Sequence, residues 1–303
     1  MPDVHHLTYP EAIVIGLLQG VTELFPVSSL GHSILLPALL GGRWAQDLNV
    51  ASPESPYLAF VVGLHVATAL ALLAYFWRDW LRIVTGFATS VRHRRVQAPD
   101  ERLAWMIILA TIPVGVTGLL LEHTFRTVLG RPVPAAIFLT VNGILLYGAE
   151  RLRRRSAATD KAHPINEDGG ITSDRRIAAE TFTGTTLVGA AQVLALLPGI
   201  SRSGVTLGAG LLRGLSHEDA ARFSFLLATP VILAAGVLKL PDLFGPLGDG
   251  IRGQVLVGSL ASGAAAYLSV RFLTRYFEKG TLTPFAIYCV AAGLACLTWL
   301  LAA

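Results

Sequence analysis

The sequence predicts an all-α polytopic membrane protein, with six transmembrane helices plus two re-entrant helical hairpins arranged as an inverted-topology repeat. Three observations predict it. The 303-residue chain is 53% apolar and only 15% charged, and its apolar residues fall in long runs, a balance foreign to soluble domains. Two polar, helix-breaking segments interrupt those runs, Gln19-Gly-Val-Thr-Glu-Leu-Phe-Pro-Val-Ser-Ser-Leu-Gly-His32 and Pro198-Gly-Ile-Ser-Arg-Ser-Gly-Val-Thr206. The two halves also match in register. At an offset of 173, Gly16, Gln19, Leu24, Ser28 and Gly31 fall on Gly189, Gln192, Leu197, Ser201 and Gly204; at an offset of 150, Gly130, Pro134, Ala136, Ile137 and Gly143 fall on Gly280, Pro284, Ala286, Ile287 and Gly293.

Asp3, His5 and His6 precede the first apolar stretch, where a secretory signal would carry basic residues, so the N-terminus is expected to be retained. The first polar segment follows. Apolar runs near 58–77, 103–121 and 134–149 are each about long enough to cross a bilayer. Residues 156–175 are polar, have no apolar period and read as a linker. After the second polar segment come the runs near 223–240, 253–270 and 284–302. One membrane domain is therefore expected: a first repeat over about 8–150, a linker over about 151–180 and a second repeat over about 181–303. Each repeat holds one re-entrant segment and three crossings, an odd number, so the second sits upside down relative to the first.

Basic residues support the re-entrant reading. If both polar segments return to the side they came from, five of the 24 Lys and Arg (Arg43, Arg126, Arg131, Lys239 and Arg252) face one side, Arg202 stays at membrane depth, and the other eighteen face the opposite side. With both segments crossing fully, the division is fifteen against eight. The positive-inside bias favours the first arrangement and puts the eighteen in the cytoplasm, with both termini outside. The Arg151 to Arg155 run reads as a juxtamembrane anchor and not as a nucleic-acid site. Cys289 and Cys296 sit seven apart in one predicted helix, a rise of about 10 Å, too far for a disulfide.

A membrane protein must supply partners for every ionisable group and broken turn it takes into hydrocarbon, so the polar segments are the functional candidates. In the first, Gln19 and Glu23 share a helical face with Thr22 on its flank; Pro26 limits the helix, and Ser28, Ser29 and His32 follow the break. A carboxylate beside hydroxyls and an imidazole is an acid–base or metal-binding cluster. The plainer alternative is a hydrogen-bonded kink. In the second, Arg202 offers a permanently charged fork suited to phosphate or carboxylate, and Ser201, Ser203 and Thr206 add donors at a helix start. Here the alternative is an internal Arg202–Glu23 salt bridge, and the two readings are compatible if the pair separates when substrate arrives. His65 reads equally as a packing histidine and as a cavity residue; Asn142 and Gln192 read as interhelical hydrogen-bond partners. The remaining histidines fall at termini or loops without metal-ligand spacing.

These two segments closely resemble the signatures of the bacitracin-resistance family of undecaprenyl-diphosphate phosphatases, and the similarity continues through Leu64 to Arg78 and the later crossings. Leu24-Phe25 reverses the family's usual Phe-Leu order, and Gln19 stands where many relatives have Glu, which shifts the acid–base role to Glu23 and His32. The resemblance implies a bacterial inner-membrane enzyme, its active site opening outward, that removes the terminal phosphate of a C55 polyprenyl diphosphate. It implies catalytic roles for Glu23, His32, Ser28, Ser29 and Arg202. Gln19, Thr22, Ser201, Arg202, Ser203 and Thr206 would bind the substrate, and Glu23 would hold a divalent cation, Mg2+ or Ca2+, because the available ligands are oxygens. Whether a serine, His32 or water attacks phosphorus stays open at this level, as does a homodimer. The rival reading is a polyprenyl-phosphate flippase, since inverted repeats with broken helices recur in transporters. The type 2 phosphatidic-acid phosphatase pattern expects Ser-Arg, five intervening residues and then His; after Ser201-Arg202 that place is Gly208.

Overall fold

The computed structural model describes residues 7–48, 56–159, 171–245 and 250–302. Among these there is no strand, and the elements run α1 (Tyr9–Thr22), α2 (Ser29–Leu40), α3 (Gly42–Asp47), α4 (Pro56–Tyr75), α5 (Trp77–His93), α6 (Pro99–Leu129), α7 (Pro132–Thr159), α8 (Ile171–Ala179), α9 (Phe182–Ala190), a 3-10 helix (Ala191–Leu196), α10 (Arg202–Leu212), α11 (His217–Phe244), α12 (Arg252–Tyr276) and α13 (Thr283–Ala302). Five helices, α6, α7, α11, α12 and α13, are long and apolar enough to cross a membrane, and the bent pair α4–α5 is a sixth candidate.

That bend departs from the straight crossing expected near 58–77. The chain turns by 85° after Tyr75, because charge begins at Arg78 and Asp79 and a helix carrying them is kept out of hydrocarbon. α5 then runs as an amphipathic helix. Ile83, Gly86 and Ser90 are buried while Trp77, Leu81, Val84 and Val91 face outward, the composition of a helix lying along a bilayer surface.

Lipid tails are as apolar as leucine, so membrane helices associate through close van der Waals packing and small residues at the contacts. α1 meets α12 in this way: Gly16 and Gly20, spaced as small-xxx-small, lie against the backbone of Gly258 and Ser262, and a methyl group on Gly16 would stand 2.3 Å from the Gly258 carbonyl oxygen. At the position 173 further on, a methyl on Gly189 of α9 would meet the Ala110 carbonyl of α6 at 2.1 Å. α7 and α13 pack reciprocally, Gly143 on the Ala286 carbonyl and Gly293 on the Ala136 carbonyl, four positions related by the offset of 150. Helix caps match too. Thr8 and Thr181 cap α1 and α9 by accepting from the N–H three residues on, and Ser28 and Ser201 cap α2 and α10 likewise. α4 and α11 complete the centre, burying Phe60, Leu64, Leu72, Phe223 and Phe225.

At one end of the bundle the polar residues are paired. Asp174 of α8, in the predicted linker, is 2% exposed and takes Arg82 of α5 at 2.7 Å and Arg222 of α11 at 2.7 Å. Arg176 binds Asp219 at 2.7 Å, and Arg102 donates to the Ala178 and Glu180 carbonyls. His217, expected in a loop, is the first residue of α11 and bridges Glu150 (2.7 Å) and Arg153 (2.9 Å). Arg154 pairs with Glu150, and Arg151 lies over the Tyr147 ring. Both cysteines are free thiols.

Candidate active site

The first break opens where α1 ends. Glu23 is its C-cap, and Ser28 holds a left-handed conformation at φ 69° while capping α2, a strained state for a residue with a side chain. The second break runs from Leu197, which ends the 3-10 helix, to Ser201, which caps α10. The two breaks touch. Asn142 of α7 staples them: its amide donates to the Pro26 carbonyl at 3.0 Å, while its carbonyl accepts from the Ser201 N–H at 3.0 Å. Ser203 adds a bond from its hydroxyl to the Phe25 carbonyl at 3.1 Å.

Glu23 sits at the focus, 8% exposed. One carboxylate oxygen accepts from Arg202 Nη2 at 2.8 Å. The other accepts from Gln19 Nε2 at 2.9 Å and from the Ser29 hydroxyl at 2.5 Å. A guanidinium, an amide and a hydroxyl together satisfy a buried carboxylate as an anion, and the charge-assisted bond is the strongest of the three. Ser29 and Arg202 are the first residues of α2 and α10, so the side chains that open both helices meet on this carboxylate.

The expected site residues divide. Gln19, Glu23, Ser29 and Arg202 are in direct contact, and Ser201 and Ser203 lie beside them with their hydroxyls 3.0 Å apart. Ser28 is occupied as a cap, accepting from the Gly31 N–H at 3.2 Å. Thr22 and Thr206 turn their hydroxyl protons to their own helices, onto the Leu18 and Arg202 carbonyls. His32 stands to one side: Nδ1 bonds the Ser28 carbonyl at 2.7 Å and Nε2 the Tyr288 hydroxyl at 2.7 Å, with the two rings stacked.

Sequence reasoning missed Tyr288, because an aromatic residue in an apolar helix carries no signal of its partner. Asn142 was expected as an interhelical partner and is one. Gln192, in the 3-10 helix, reaches only the Gly189 carbonyl at the end of the adjoining α9, at 3.2 Å, and its buried Oε1 has no partner among the described residues. His65 reaches the cluster, 3.6 Å from Glu23 and 3.3 Å from Gln19. The reversed Leu24-Phe25 pair is accommodated by full burial of Leu24 and by packing of Phe25 on Phe272 and Phe285.

Known proteins match this chain along nearly its whole length. It is 67% identical over 299 residues to an undecaprenyl-diphosphatase of Mycolicibacterium paratuberculosis, covering 97% of this chain and 98% of the relative. It is 53% identical to undecaprenyl-diphosphatase 1 of Frankia casuarinae, covering 95% and 97%, and 44% identical to an undecaprenyl-diphosphatase of Granulibacter bethesdensis, covering 96% of each. Residues 12–295 match the family described as Bacitracin resistance protein BacA, and the chain belongs to that family.

Proposed function

We propose that this chain is an integral membrane hydrolase that removes the terminal phosphate of undecaprenyl diphosphate. Its products are undecaprenyl phosphate, the lipid carrier of cell-wall synthesis, and inorganic phosphate; keeping the carrier in the monophosphate form is what confers bacitracin resistance. The observation that carries the reading is the seat of Glu23. The first side chains of two helices, Ser29 and Arg202, meet on one carboxylate, and a guanidinium that seats a carboxylate suits a phosphoryl group equally.

In the proposed reaction the diphosphate draws Arg202 off Glu23, and the guanidinium holds the terminal phosphoryl group, with Ser201, Ser203, Thr206 and Thr22 as further polar contacts. Glu23, relieved of its counter-charge, accepts the proton of Ser29 as that hydroxyl's oxygen bonds to phosphorus. The bond from phosphorus to the bridging oxygen breaks, its electron pair leaving with the lipid monophosphate. Water then cleaves the phosphoserine, with His32, held by Ser28 and Tyr288, as acid or base. The hydroxyl-to-carboxylate bond at 2.5 Å favours Ser29 as nucleophile over Ser28, whose oxygen is committed to its cap.

A divalent cation, Mg2+ or Ca2+, fits this donor set only as a partner of the diphosphate. Glu23 is the one carboxylate in the cluster, and among the described residues no three His, Cys, Asp or Glu side chains gather. Glu23 together with phosphate oxygens would hold it, and its chemistry there is charge neutralisation.

The finer membrane arrangement belongs to the same proposal. Two re-entrant hairpins, α1–α2 and α9–α10, with three crossings each would form an inverted repeat over about 8–150 and 181–303; the caps and glycine contacts matched at 173 and 150 support it. The Arg-rich end of α7, which meets the start of α11 through Arg153 and His217, supports a cytoplasmic face at that end in a bacterial inner membrane, with the site opening opposite. Phosphate release from a C55 diphosphate by detergent-solubilised protein, with and without chelator, tests the reading. A flippase without hydrolysis would release none, and activity retained in Arg202→Ala would overturn the site.

A further inference from the structure

His65 reaches the cluster at Glu23 and Gln19, and the reaction above leaves both it and Gln19 without a task. His65 lies on α4, its Nδ1–H donating to the Val61 carbonyl one turn back at 2.9 Å, and in the neutral ring this leaves the Nε2 lone pair as an acceptor. Nε2 is 3.3 Å from Gln19 Nε2, and that same amide nitrogen is 2.9 Å from Glu23 Oε2. An amide nitrogen carries two hydrogens, so one goes to the carboxylate and the other to the imidazole. The mount of the imidazole is itself fixed. Ser262 of α12 donates to the Leu64 carbonyl at 3.3 Å and bonds Thr68 at 3.1 Å, on either side of His65.

We propose that His65 is a positioning residue for the phosphatase reaction: by accepting from Gln19 it locks that amide with its nitrogen toward Glu23, and so holds the carboxylate aligned on Ser29. The inference rests on the reading that Glu23 and Ser29 perform the chemistry. Its physical core is the two-fold ambiguity of an amide. A flipped Gln19 would set its own oxygen against Glu23 Oε2, two acceptors facing each other, and the carboxylate would keep Ser29 as the sole donor to that oxygen. The imidazole lone pair removes the ambiguity, because only the nitrogen end of the amide can satisfy it.

The test measures kcat and KM for phosphate release from a C55 diphosphate by purified protein, with thermal unfolding as the check on folding. His65→Leu lowers kcat about tenfold to a hundredfold with KM little changed, the signature of misaligned chemistry. His65→Gln, whose carbonyl can accept the same hydrogen, recovers most of that loss. Gln19→Met falls as far as His65→Leu, and the double variant falls no further than either. Wild-type kcat in His65→Leu, equal damage in His65→Gln, or multiplying losses in the double variant would overturn the proposal. If His65→Leu does not fold, Gln19→Met with His65 in place reads the same chain from its other end, and wild-type kcat there overturns it. Failure of the functional reading is separate: the wild-type protein itself would release no phosphate.

Discussion

Arg202 and Glu23 stabilise one another as an ion pair and act together in the proposed reaction, so substitution of either has two separable effects. Removing one partner of a buried pair leaves an uncompensated charge and costs about 3–5 kcal/mol. Arg202→Ala is therefore expected to melt well below wild type and to lose at least about a hundredfold in kcat. The double variant Glu23→Gln with Arg202→Met should regain part of the stability and none of the activity, measured by thermal unfolding in detergent beside phosphate release. Asn142 works differently, since it holds no substrate and fixes two broken backbones to each other. Asn142→Leu forfeits both bonds, leaving the buried Ser201 N–H unpaired and the Pro26 carbonyl with only the weak Cys289 thiol, about 1–3 kcal/mol in all. Its unfolding temperature should drop and its kcat should fall with it. An inactive Asn142→Leu of undiminished stability would contradict this stapling role.

Among the elements, the helix contacts that set the distance between the breaks depend on glycines with backbone directly opposite. Gly16→Val and Gly189→Val each force α1 off α12 or α9 off α6, and overpacking of this kind costs about 1–3 kcal/mol. Comparable losses of thermal stability at the two positions are expected, and a neutral result at Gly189 would show that the α9–α6 approach is slack. Helix α8 acts as a clasp. Its Asp174 carries two arginines from two other helices while almost wholly buried. Asp174→Asn keeps the shape and removes the charge, leaving Arg82 and Arg222 to share Asp79. The expected loss is again about 3–5 kcal/mol in an unfolding measurement, with KM unchanged because the clasp bonds no site residue.

For the molecule as a whole, the sequence disclosed most where chemistry forbids alternatives. Arg202 and Glu23 at membrane depth had to find partners, and each found the other; the Gly and Pro positions that recur at 173 and 150 had to mark packing or breaks, and they do. What stayed hidden were choices between acceptable partners. Nothing in an apolar run says that Tyr288 will meet His32, that α4 will bend by 85° at its end, or that part of a polar linker will fold into α8 and be buried under three arginines. The matched register at 173 also conceals an asymmetry. Leu196 occupies the position 173 beyond Glu23, and Ser29 the position 173 before Arg202, so the ion pair takes its carboxylate from one side of the linker and its guanidinium from the other. Because Arg202 is held by a carboxylate of its own chain, any incoming small oxyanion must evict a tethered competitor. A lipid diphosphate brings a long tail to help it do so, whereas free orthophosphate brings none. Turnover should therefore persist in millimolar orthophosphate, and a steep product inhibition curve would mean that the tethered carboxylate is not the gatekeeper.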